Sequence, residues 1–326
     1  MFTQVLVPLD RSPLAEQALG QAVAIARASH AALDVVLVHE PLPFAGFRDA
    51  PWNAEHLSDD QKYLEMIAKE AMSGATLSVS HAVLEGGPAE MICERARDVD
   101  ADLIVMTSHG RTGLSRAWLG SIADAVIRRS SVPVLLLRPI DGTSRRDAAH
   151  HLFRNVLVLL DGSSLASTIL TPALALARSG GGRLILMRVI QPVPSMVLDA
   201  GMSFAYPPPL SDDEATEALV EEAKQQLSTI ATQTDSDGVV IETHVAVGAH
   251  VAQAILDYVN AHEIDVIAMA THGRGASRNL IGSTADKVLR GSGVPMLIHR
   301  PTRVVEESQE GKEAKATRPT AEVAAP

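Results

Sequence analysis

The chain has 326 residues, 46% hydrophobic but only 3% aromatic, with a formal net charge of −11, so it has room for two domains with aliphatic cores of the kind parallel sheets bury under helices. The acidic balance argues against a general binder of nucleic acid or anionic membrane, which needs a basic surface to displace counterions. One cysteine, Cys93, excludes an internal disulfide. With no basic leader and no apolar run long enough to span a bilayer, the cytosol is the expected location.

Gln4 to Leu9 reads as a continuous apolar strand that ends on Asp10. A helix follows behind the cap Ser12, with Leu14, Ala18, Ala22 and Ile25 at helical spacing. Leu33 to Val38 is the second strand. A proline-containing loop is expected from Glu40 to about Ser58, then a helix through Tyr63 to Met72 and a third strand near Ala75 to Leu84. Gly86, Gly87 and Pro88 break the chain before a helix from Ala89 to Asp98, in which Cys93 reads as core filler. Ala101 to Met106 forms the fourth strand, Gly120 to Arg129 the last helix, and Val132 to Leu137 the fifth strand.

The same order of blocks then returns. Val5 to Ser12 reappears as Val156 to Ser163, again an apolar strand closed by an aspartate, here Asp161 after Leu160. Met106-Thr107-Ser108-His109-Gly110-Arg111 reappears as Met269-Ala270-Thr271-His272-Gly273-Arg274. Gly120-Ser121 reappears as Gly282-Ser283, and Val132-Pro133 as Val294-Pro295, each of these followed by an apolar run. Preserved order marks a duplicated domain. The expected organisation is a first domain over 1–140, a linker over 141–151, a second domain over 152–302 and a disordered tail over 303–326. Gln191 to Ser211 is a long loop of the second copy. Strands alternating with helices imply two tandem, doubly wound α/β domains, each with a five-stranded parallel sheet, which bind ligands outside the carboxyl ends of their strands.

Both recurring signatures fall at that edge. A glycine, a nine-residue spacer and Gly120-Ser121 opening a helix present backbone N–H groups and the positive end of a helix dipole, a workable phosphate cradle. The alternative is that Gly110, Gly113 and Gly120 merely shape a turn. Asp10 and Asp161 stand where a carboxylate accepts from a ribose hydroxyl or holds a nucleotide-bound cation, or else where it closes an Asx turn. His109 and His272 suit structural roles, and Ser108 and His109 point to opposite faces of an extended strand and so form no nucleophile–base pair. Arg111, Arg116, Arg274 and Arg278 either screen a polyphosphate or lie solvated. There is no Gly-Lys-Ser/Thr phosphate loop, no Gly-x-Gly-x-x-Gly after the first strand, no paired cysteines and no His-Glu-x-x-His, hence no evident catalytic base or metal site.

These residues, in this order, resemble the universal stress protein family (UspA-like) in its tandem two-domain form. The resemblance implies a Rossmann-like fold related to adenine nucleotide alpha hydrolases. It also implies ATP binding, with Mg, by a nucleotide-responsive stress regulator that hydrolyses ATP slowly at most. Family members that bind ATP carry Gly-x-x-Gly, nine residues, Gly-Ser/Thr. The first copy departs at Thr107, and the second has Ala270 and only eight residues between Gly273 and Gly282. The residues carried over are Pro8, Leu9, Asp10, Met106, Thr107, Gly110, Gly120, Ser121 and Ile122 in the first copy. In the second they are Leu160, Asp161, Val189, Met269, Ala270, Gly273, Gly282, Ser283 and Thr284. Val189 fits the apolar contact to adenine at the end of the second strand, where Glu40 is taken as its counterpart in the first copy and does not fit. The family pairs two such domains through their fifth strands, which here is expected within one chain, with a homodimer as a further option. The altered glycines and Glu40 favour an alternative, a dimerising stress scaffold that binds no nucleotide. A nucleotide hydrolase is the third class.

Overall fold

The computed structural model describes residues 1–40, 43–44, 47–48, 50–73, 77–108, 119–138, 152–193, 212–271 and 282–301. The first copy runs β1 (Gln4–Leu9), α1 (Pro13–Ser29), β2 (Ala32–His39), β3 (Pro43–Phe44), β4 (Phe47–Arg48), α2 (Ala50–Met72), β5 (Val79–Glu85), α3 (Pro88–Asp98), β6 (Leu103–Thr107), α4 (Ser121–Arg129) and β7 (Val134–Leu137). The second runs β8 (Asn155–Leu159), α5 (Ser164–Ser167), α6 (Leu170–Ser179), β9 (Arg183–Ile190), α7 (Asp212–Gln233), β10 (Val240–Val247), α8 (Val251–Ala261), β11 (Val266–Ala270), α9 (Ser283–Gly291) and β12 (Met296–His299).

Local chemistry sets the boundaries. Ser12 caps α1, its hydroxyl accepting from the Ala15 N–H at 3.0 Å, and Pro13 fills the first helical position. His30 closes the helix in the left-handed region at φ 55°. In the second copy the same stretch is split into α5 and α6. Pro172, in the first turn of α6, has no N–H to give the preceding turn, so the helix restarts there. Two expectations change in the first copy. The segment expected as a loop from Glu40 to about Ser58 contains the β3–β4 pair and the front of α2, which begins at Ala50 and not after Ser58. Pro51 is tolerated in that first turn, and the polar run after it hides the helical period. The loop 194–211, the linker and the tail lie outside the described residues.

Each copy orders its five strands 3-2-1-4-5 with parallel neighbours: β5-β2-β1-β6-β7 and β10-β9-β8-β11-β12. The order reverses beside β1 and β8, the switch point that opens a crevice at the strands' carboxyl ends. Although the strands read as unbroken apolar runs, their side chains alternate between two cores. Val5, Val7 and Leu9 join one cluster, Leu6 the other. Both clusters run through both copies, because β7 and β12 pair antiparallel and join the halves into one ten-stranded sheet. Leu135 faces Leu297, its own counterpart in the repeat, so the seam has a local two-fold symmetry. Arg138 donates to the Leu289 carbonyl in the last turn of α9, and Arg300 donates to the Arg128 carbonyl in the last turn of α4. Each copy thereby caps the other's final helix with a cation, where the helix dipole is negative. Met296 for Val134 and Ile298 for Leu136 keep the seam apolar, but one change does not. His299 occupies the place of Leu137, and burial depresses its pKa, with backbone groups of Thr168 and Ser131 pulling partly back.

Candidate functional site

At the switch point of the first copy the strands part around a cavity of about 600 Å³. Pro8, Leu9 and Asp10 from the end of β1, Met106 and Thr107 from β6, and Gly120, Ser121 and Ile122 at the start of α4 all line it. Gly110, like His109 and Arg111, lies outside the described residues. The Gly120 N–H donates to the Ser108 carbonyl at 2.8 Å, which pins the start of α4 to the end of β6. Gly120 itself has φ −60° and ψ 146°, extended values open to any residue, so turn geometry does not demand glycine there. Asp10 does close an Asx turn, its Oδ1 accepting the Ser12 N–H at 2.9 Å, and it lines the cavity as well.

A polar network walls the cavity on the side of α2. His39 Nδ1 lies 3.1 Å from Asp60 Oδ2, and the Arg11 guanidinium lies 2.6 Å from Asp60 Oδ1. Arg11 also lies 5.6 Å from the centre of the Tyr63 ring, whose hydroxyl donates to Glu16 Oε1 at 2.8 Å. Arg11 adopts φ 65°, a left-handed conformation that costs a side-chain-bearing residue about 1–2 kcal/mol, so the ion pair is held against backbone strain. His39 and Asp60 are both buried. Sequence pattern misses this network, because a loop expected to run to about Ser58 leaves His56 off the helix that carries Asp60. The usable signal is that His56 and Asp60 stand four apart, which places both on one helix face, and both line the cavity.

The strand register corrects one assignment. β1 pairs with β2 as β8 pairs with β9, Gln4 facing Ala32 and Asn155 facing Arg183. The counterpart of Val189 is therefore Val38, which lines the cavity, and Glu40 corresponds to Gln191. The first copy keeps its apolar wall, and Glu40 adds a carboxylate beyond it.

In the second copy Leu160 is buried at the end of β8, and Asp161 accepts from the Ser163 N–H at 2.9 Å and the Ser163 hydroxyl at 2.6 Å. Met269 and Ala270 are buried at the end of β11, and Val189 is half-buried in β9. Gly282, Ser283 and Thr284 open α9. Gly282 takes φ +92°, so here glycine is needed for the backbone. Gly273, His272 and the arginines after them lie outside the described residues. Gly162, the counterpart of Arg11, has φ +85° and leaves its Cβ space to Arg188, whose Cζ lies 3.1 Å from where a Cβ would stand. Among the described residues no cluster of three or more His, Cys, Asp and Glu forms a metal cage. Nor, among them, is any helix long and apolar enough to cross a membrane.

Known proteins share this architecture. The universal stress protein family model matches residues 1–138 and again 152–300. A universal stress protein of Methanocaldococcus jannaschii is 33% identical over 142 residues, 42% of this chain and 83% of that protein. The crystal structure of a universal stress protein from Archaeoglobus fulgidus superposes with a TM-score of 0.64 at 21% identity, across 91% of this chain and 96% of that one. A universal stress protein solved in complex with cAMP is 28% identical, covering 43% of this chain and 99% of its own, with a TM-score of 0.34. With two family matches that together span most of its length, the chain belongs to the universal stress protein family, as a tandem of two such domains.

Proposed function

We propose that the first copy binds an adenine nucleotide, ATP with Mg, and that the chain acts as a nucleotide-responsive regulator in stress. The observation that carries this reading is the cavity at the switch point, which gathers an aspartate, a helix N-terminus and an apolar wall. Its volume suits a drug-sized ligand. The N–H groups at the start of α4, with the helix dipole behind them, receive phosphate oxygens, and the Ser121 hydroxyl adds a donor. Asp10 accepts from ribose hydroxyls, and Val38 packs on the base. Mg would be held chiefly by the phosphates, with at most one or two carboxylates from the protein.

The residues around the cavity supply binding and orientation. His39 is held by Asp60 on the α2 side, away from the start of α4, so these groups suit recognition better than phosphoryl transfer and support slow turnover at most. One observation favours the scaffold reading: Asp10, Glu40 and Asp60 bring three carboxylates to a wall with Arg11 as the compensating cation. Isothermal titration of nucleotide-stripped protein with ATP and Mg separates the two, with native mass spectrometry on the unstripped protein. Saturable binding that Gly120→Trp abolishes in a folded variant supports the nucleotide reading. Neither binding nor a carried ligand moves the conclusion to the scaffold.

A further inference from the structure

We propose that the second copy recognises a phosphate-bearing ligand through Arg188 at the end of β9, where the first copy has the apolar Leu37. The inference rests on the nucleotide reading only for where the site lies.

The two copies each bring a guanidinium to the same corner of the fold by different routes. In the first it comes from Arg11, in the turn after β1. In the second that turn residue is Gly162, and the cation comes from Arg188, whose counterpart by register is the buried Leu37 of the cavity wall. Gly162 is what admits it: a Cβ there would lie 3.1 Å from both Arg188 Cζ and Nη1.

What differs is the partner. Arg11 is paired with the Asp60 carboxylate. Asp60 lies four residues before the buried Leu64 of α2, and the matching residue four before the buried Leu227 of α7 is Ala223. Arg188 donates instead to Gln226 Oε1, an uncharged amide, whose nitrogen in turn donates to Glu222 at 2.8 Å. Among the described residues no carboxylate is ion-paired to Arg188. The neighbouring changes run the same way, with Gln191 for Glu40 and Ala223 for Asp60. The first site sets Asp10, Glu40 and Asp60 against Arg11, and the second sets Asp161 against Arg188. A carboxylate at the end of a second strand accepts from hydroxyl donors and repels phosphate, whereas a guanidinium there engages phosphate oxygens as a fork. Half-buried and tied to an amide, Arg188 keeps its charge available to an anion.

Inorganic pyrophosphate is the probe, titrated calorimetrically into the full chain beside ATP and adenosine. The wild type should bind pyrophosphate with a component that depends on Arg188, beside whatever the start of α4 holds. Arg188→Leu, which restores the first copy's residue, should weaken that component about tenfold or more, the loss expected for charge-assisted hydrogen bonds. Gln226→Glu gives the arginine the carboxylate it lacks, keeps the fold's packing and should weaken pyrophosphate to a similar degree, so the test survives if Arg188→Leu fails to fold. Pyrophosphate that does not bind the wild type, or binds folded variants of both kinds as tightly as the wild type, overturns the inference. If pyrophosphate binds through Arg188 while ATP and adenosine do not bind at all, the anion site stands and the nucleotide reading falls. If ATP binds and pyrophosphate affinity is indifferent to Arg188, the nucleotide reading stands and the anion site falls.

Discussion

Removing the Asp60 carboxylate tests whether the ion pair beside the cavity holds the fold or merely decorates it. Asp60→Ala takes a partner from His39 and leaves Arg11 charged in a strained turn. Breaking a fully buried pair costs about 3–5 kcal/mol. The Arg11 side chain is 33% exposed while that of Asp60 is 9%, so solvent recovers part of this and the expected loss is about 2–3 kcal/mol. Arg11→Gly loses the pair and the contact with Tyr63, but glycine relaxes φ 65° and returns about 1 kcal/mol, so its net loss is about 1–2 kcal/mol. The double variant recreates the Gly162 and Ala223 of the second copy. It should be less destabilised than the sum of the singles by about 1–2 kcal/mol, the coupling energy of the pair. Urea unfolding followed by far-ultraviolet circular dichroism gives each value from midpoint and slope. An Asp60→Ala loss under about 0.5 kcal/mol, or strict additivity in the cycle, refutes the account.

The seam should titrate. His299, with its folded pKa depressed by burial, takes up a proton less readily than in the unfolded chain, so its stabilising effect is complete above the ordinary histidine value and is lost as pH falls below it. His244, depressed by burial and by His262, adds to the same slope. His299→Leu should flatten the fall in stability between neutral and mildly acid pH, and an unchanged profile counts against this. The two helix-opening glycines should behave differently. Gly282→Ala, at φ +92°, should cost about 1 kcal/mol or more beyond Gly120→Ala, at φ −60°, measured as the shift in unfolding midpoint. Leu135, fully buried at the centre of the seam, should cost about 2–5 kcal/mol when cut to alanine, and thermal unfolding should then separate into two transitions. A single sharp transition near the wild-type midpoint argues against a seam that couples the copies.

The parallel strands and the first-copy residues at their ends are legible in the sequence because each depends on short-range pattern. An unbroken apolar run has to be buried on both faces, and an aspartate or glycine pair at its end has few structural uses. Val38 stands as far beyond Asp10 as Val189 stands beyond Asp161, so a count from the strand-end aspartates already agrees with the ladder, and Glu40 lies past that position. What stays hidden depends on distant partners. The front of α2 is hidden because its inward face is polar where it meets the cavity, at His56 and Asp60, so the apolar period fades where the helix approaches the site. The move of the guanidinium from Arg11 to Arg188 is invisible for a related reason. The two positions are far apart in the repeat and meet only in three dimensions.

The antiparallel joint between β7 and β12 also governs what this molecule is free to become. In an assembly of two identical chains, any change at such a joint, or at a ligand site, is imposed on both halves at once. Covalent tandem fusion lifts that constraint. One half can carry His299 where the other keeps Leu137, or trade Asp60 for Ala223, while the other stays as it was. Because the halves run in opposite directions, their strand ends open at opposite edges of one continuous sheet. Joining two copies in this way leaves two independently editable sites on one continuous sheet, coupled through the leucines at its centre and the paired caps of Arg138 and Arg300.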